Sequence, residues 1–115
     1  MAYDEGLAGR LRDLLDQESA IDGHEVTEKK MFGGLAFLVG GNMAVAASGQ
    51  GGILVRVDPT EGEELIATTP AHPMEMRGRA MSGWLRVDHD DVADDGALAT
   101  WVRRGASYAA GLPAK

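Results

Sequence analysis

Apolar positions recur at helical spacing near the start of the chain. Leu7, Leu11, Leu14 and Leu15 form one stripe, and Arg10, Arg12, Asp13 and Asp16 fall on the opposite side. The spacing predicts a helix over 4–17, with Asp4 as its cap. A polar connection follows over 19–25, and 26–30 reads as an extended segment or short strand. The period then shortens. Residues 35–39, 43–47 and 53–57 read as three successive strands, with Ile53, Val55 and Val57 on one face and Leu54 and Arg56 on the other. Gly40, Gly41 and Asn42 supply turn chemistry between the first two. Asp58 and Pro59 open a short helix over 60–68, whose buried residues are predicted to be Leu65 and Ile66. Pro70 and Pro73 stiffen the loop that follows. Residues 74–76 and 83–87 read as two more strands joined by 77–82. Leu98, Trp101, Val102, Gly105, Tyr108 and Ala109 have the spacing of a last helix packed on a sheet, and Gly111 and Pro113 stop it.

The predicted order is α-β-β-β-α-β-β-α. That is an α+β domain of two layers: an antiparallel sheet of about five strands with helices on one side. Residues 1–115 are read as a single domain. A chain of this length buries roughly 65% of the surface it exposes when unfolded, enough for one core.

Composition narrows the chemistry. There is no cysteine, so disulfides, thiolate metal sites and a cysteine nucleophile are excluded. The acidic start of the chain does not read as a signal peptide, and no apolar run approaches the ~20 residues of a membrane span. A cytoplasmic location is expected. The formal net charge of −7 argues against direct nucleic-acid binding, because neutralising phosphates needs a basic surface.

Candidate sites are few. Lys29, Lys30, Arg77 and Arg79 would form an anion patch if the two segments that carry them met in space. Asp88, His89, Asp90 and Asp91 are metal-ligand types, but their spacing is not that of a calcium loop; with Asp94 and Asp95 the aspartates read as carboxylates that stabilise the start of the last helix. His24, His72 and His89 are far apart, and no serine stands in a nucleophile elbow. The glycine pairs match no phosphate-binding loop and no dinucleotide fingerprint. The reading is therefore no catalytic residue, no metal and no cofactor. The stretch with Met31, Phe32, Gly33 and Gly34 reads as structural: the glycines permit close backbone approach and the two large side chains fill the space around them.

That stretch also carries a family resemblance. Lys30, Met31, Phe32, Gly33 and Gly34, then Gly41, Asn42, Met43 and Ala44, and a strand ending in Asp58, resemble the N-terminal domain of the TfoX/Sxy competence regulators. The segment Met81, Ser82, Gly83, Trp84 and the closing helix with Leu98, Trp101 and Val102 are similar too. The resemblance implies a two-layer fold like that of type III secretion chaperones. It also implies a link to natural transformation, where the family acts with the cyclic-AMP receptor protein. It brings no catalytic residues. The chain ends at Lys115, short of the helical C-terminal domain of full-length members.

The expected function is a small TfoX N-terminal-like protein that works non-enzymatically through protein–protein contact, in transcriptional or competence-type regulation. The alternative is a small anionic-ligand binder or enzyme using the Lys29, Lys30, Arg77 and Arg79 patch. A homodimer is expected, since bare sheet edges invite pairing.

Overall fold

A computed structural model describes residues 3–21, 23–31, 33–76 and 78–113, the side chains of residues 20 and 76 apart. Helix α1 is Glu5–Gln17, and the Asp4 carboxylate accepts from the Leu7 amide at 3.1 Å to cap it. A 3-10 turn, Ser19–Ile21, leads to four strands: β1 Val26–Met31, β2 Gly34–Val39, β3 Asn42–Ala47 and β4 Ile53–Arg56. Helix α2 is Pro59–Thr68. Strands β5 His72–Met76 and β6 Arg79–Val87 follow. A second 3-10 turn, His89–Val92, precedes helix α3, Asp95–Ala110.

The fold class is the expected one, with six strands instead of about five. The additional strand is β1. Its residues are almost wholly polar and exposed, so they give no alternating signal, yet all six pair with β2 from Val26↔Val39 to Met31↔Gly34. The other departure is at β5 and β6. The expected connection over 77–82 is mostly strand, and the hairpin closes at Met76↔Arg79. Small and polar residues in Arg79, Ala80 and Ser82, together with a register shift, hide that half of β6 from a period-2 reading.

The sheet order is β1-β2-β3-β4-β6-β5, with every neighbour antiparallel. The β2–β3 hairpin turns on Gly40 and Gly41, with φ of 59° and 85°. Two consecutive positive φ values define the turn whose twist matches a β-hairpin, and glycine adopts them without steric cost. Helix α2 carries the chain past β6, which slots between β4 and β5.

Alternation along the strands divides the interior. Leu35, Phe37 and Val39 of β2, Val45 and Ala47 of β3, Ile53 and Val55 of β4, and Leu85 and Val87 of β6 face Leu7, Leu11 and Leu15 of α1 and Leu98, Trp101, Val102 and Ala106 of α3. Leu65 and Ile66 of α2 pack at the margin of this core and stay partly exposed; Gly62 is the buried residue of that helix. A smaller cluster on the reverse face joins Ala36, Met43, Ala46, Leu54 and Met74, with Met31, Leu38 and Trp84 packed around it. No helix residue belongs to that second cluster, so the described helices lie on one side of the sheet.

Candidate functional site

The strand order separates the cations singled out in the sequence. Lys29 and Lys30 lie on edge strand β1, and Arg79 lies on β6 with three strands between them. At ~4.8 Å per strand that is roughly 19 Å across the sheet. Alternation also sends the two lysines to opposite faces: Lys30 is opposite Leu35 of the main core, and Lys29 is opposite Ala36 of the reverse face. Arg77 lies outside the described residues. The described members of the patch therefore do not converge.

The glycine motif is a turn and a close approach. A Cβ atom on Gly34 would stand 2.0 Å from the Ala47 carbonyl oxygen, so β2 and β3 meet there as bare backbone. Met31 packs on the reverse-face cluster. Phe32 lies outside the described residues.

The acidic segment divides its work differently from the sequence reading. Asp88 makes no cap; its carboxylate sits 3.0 Å from His72 Nε2. His89 is 3.7 Å from both Asp4 and Asp90. The α3 cap is Asp94, which accepts from the Ala97 amide at 2.9 Å, and Asp95 receives Arg10 at 2.8 Å. Among the described residues, no three His, Asp or Glu side chains are grouped to hold a metal ion.

A site that sequence reasoning missed lies between α2 and α3. A cleft of about 490 Å³ is lined by Val57, Asp58, Glu61 and Leu65 on one side and by Thr100, Arg103, Arg104, Ser107 and Tyr108 on the other. Each wall is mostly one helix face, with Val57 and Asp58 supplied by the connection from β4 to α2. Positions 58, 61 and 65 follow the helical repeat of α2, and 100, 103, 104, 107 and 108 follow that of α3. At 1.5 Å per residue the walls run about 10 and 12 Å. The helices stand apart because each docks on different strands: α2 on β6, and α3 on β3 and β4.

The charges of the cleft are ordered. Asp58 caps α2, accepting from the Thr60 amide at 2.9 Å and from the Thr60 hydroxyl at 2.8 Å. Those bonds, the amide's first, hold its carboxyl below the usual range. Arg103 reaches Glu18 at 3.5 Å. Arg104 lies over the Trp101 ring, 4.8 Å from its centroid. Beside the cleft, the Arg56 guanidinium is 5.3 Å from the Trp84 ring and 5.6 Å from the Tyr108 ring. Such cation–π contacts contribute about 0.5–1 kcal/mol each at exposed sites.

A family model described as the TfoX N-terminal domain matches residues 19–109. The chain belongs to the TfoX N-terminal domain family. The match spans the stretch from the first 3-10 turn through α3 and takes in both walls of the cleft. No curated protein and no solved structure matches the chain. In this TfoX N-terminal domain the cleft had one readable signal, the Arg104 and Tyr108 pair at i and i+4 on an amphipathic helix. The pairing of Arg56 with Trp84 comes from the β4–β6 register, which joins strands separated in sequence by a helix and another strand.

Proposed function

We propose that this TfoX N-terminal domain acts in the cytoplasm as a non-enzymatic binding module that holds a protein partner in the α2–α3 cleft, in transcriptional or competence-type regulation. The carrying observation is the cleft itself. It combines an apolar floor of Val57 and Leu65 with charged walls and a tyrosine ring, the mixture found where ligands and partners seat. Its length suits a short extended segment, and its walls are formed mostly by two helix faces. The family match takes in both walls of the cleft. Among the described residues no helix is long and apolar enough to cross a membrane.

The test is comparative capture from the native host. Ser107 is exposed on the α3 wall, so Ser107→Trp fills the cleft without touching the core. The wild-type chain is expected to retain a partner that the variant loses. Equal recovery of the same proteins by both chains overturns the cleft as the contact surface.

A further inference from the structure

We infer that the cleft recognises a carboxylate, presented by a short acidic peptide segment of the partner, through Arg104 of its α3 wall and Arg56 beside Tyr108. This rests on the partner reading above and specifies its chemistry.

The chain has 18 Asp and Glu against 11 Lys and Arg. Of the other described arginines, all but Arg79, which does not line the cleft, find acceptors. Arg10 bonds to Asp95 and to the Val92 carbonyl, Arg12 to Glu28, Arg86 to the Ser48 hydroxyl, and Arg103 approaches Glu18. Arg56 and Arg104 make no hydrogen bond or ion pair with an acceptor among the described residues. Both are held by aromatic rings instead. A ring contact takes no N–H group into a conventional hydrogen bond, so the in-plane N–H edge of each guanidinium stays available. That edge is the one that grips a planar carboxylate with two parallel bonds.

Arg104 lines the cleft, and Arg56 stands beside it. Tyr108 follows Arg104 by one helical turn, lines the cleft with it, and touches Arg56 through its ring. An anion against Tyr108 therefore meets Arg56 beside the ring, with Arg104 one helical turn back along the same wall. The α2 wall sets the limit on charge. Asp58 and Glu61 face the same space, and they repel a doubly charged phosphate or a polyanion more than a single carboxylate. Beyond the anion, Val57 and Leu65 offer an apolar floor for a neighbouring aliphatic side chain. At ~3.3 Å per residue, a cleft of about 12 Å holds three or four extended residues. A single glutamate or aspartate between aliphatic residues fits these demands.

The probe is the blocked peptide acetyl-Ala-Leu-Glu-Leu-Ala-amide, with its glutamine counterpart, sodium acetate and inorganic phosphate as separate arms. The arginine Nε–H signals of the intact chain are followed by NMR. The glutamate peptide is expected to shift the Arg56 and Arg104 signals saturably, at least tenfold more tightly than the glutamine peptide. Arg104→Gln, on the helix surface, is expected to remove most of that binding while the amide spectrum stays folded, and Arg56→Lys to weaken it about tenfold. Equal binding of the two peptides overturns the carboxylate. Acetate binding as tightly as the peptide overturns the peptide segment as its source, and tighter binding of phosphate overturns the ligand class. In the capture experiment, a partner lost by Ser107→Trp but retained by Arg104→Gln contradicts this inference and leaves the partner reading standing.

Discussion

Gly105 of α3 lies so close to Ala44 of β3 that a Cβ atom on it would stand 2.4 Å from the Ala44 carbonyl oxygen. The helix thus seats on the sheet backbone itself, with Trp101, Val102 and Ala106 packed around the contact. This approach sets the height of α3, and with it the α3 wall of the cleft.

Gly105→Ala is expected to destabilise the fold by about 1–3 kcal/mol, the range for overpacking a tight interior. Gly9→Ala on α1 is the control: an added Cβ meets nothing within 4 Å there, and the higher helix propensity of alanine favours the variant by up to about 1 kcal/mol. Urea denaturation of both decides the matter. A Gly105→Ala chain as stable as Gly9→Ala contradicts the close seating.

Gly34→Val tests the family motif as a structural device. With the Ala47 carbonyl oxygen 2.0 Å from the added Cβ, the β2–β3 pair must shift or part. A loss of at least about 1 kcal/mol is expected. An unchanged melting temperature rejects the structural role.

The edge strand is tied to α1 by one bidentate pair. Arg12 Nε and Nη2 donate to Glu28 at 2.6 and 2.8 Å. The hydrogen bonds from Arg12 lower the Glu28 pKa below its ordinary value. A carboxylate with a depressed folded pKa adds stability above its unfolded pKa and loses it as pH falls through the folded one. The melting temperature of wild type should therefore exceed that of Glu28→Gln at pH 7, and the gap should close as pH drops through and below the usual glutamate range. A gap that is constant down to pH 2.5 contradicts the pairing. Because both groups are solvent-accessible, the gap should also narrow with added salt.

Self-association is the fourth expectation. Strand β1 is an edge of the sheet, and its residues from Val26 to Lys30 are exposed. An edge strand offers unpaired backbone to a second copy. We propose a homodimer, although the charges on β1 oppose uncontrolled pairing. Light scattering behind a sizing column should give twice the 12.1 kDa of the chain. A mass of 12.1 kDa across micromolar concentrations rejects the dimer.

Much of the fold was legible because local signals agreed with the tertiary outcome. The Leu7, Leu11 and Leu15 stripe, the Asp58 and Pro59 helix start, and the Gly40 and Gly41 hairpin each carry their physics within a few residues. Strand β1 was only half legible, since a polar edge strand lacks the alternation that burial imposes. The cap of α3 was assigned too broadly to the acidic run, because every carboxylate there has the right chemistry and only Asp94 has the right backbone position. The described members of the anion patch stand apart for a topological reason: sequence alone does not say that three strands lie between β1 and β6. Arg56 was visible only as the polar side of a strand. Its two aromatic partners come from β6 and α3, and neither is near it in sequence.

The central claim is that the α2–α3 cleft holds a protein partner. Its most direct test is site-specific photocrosslinking in the native host, with a benzophenone amino acid placed at Ser107 in the cleft or at Asp13, an exposed position on α1. The account predicts one discrete crosslinked partner from position 107 and none from position 13. No product from position 107, or the same product from both positions, contradicts it.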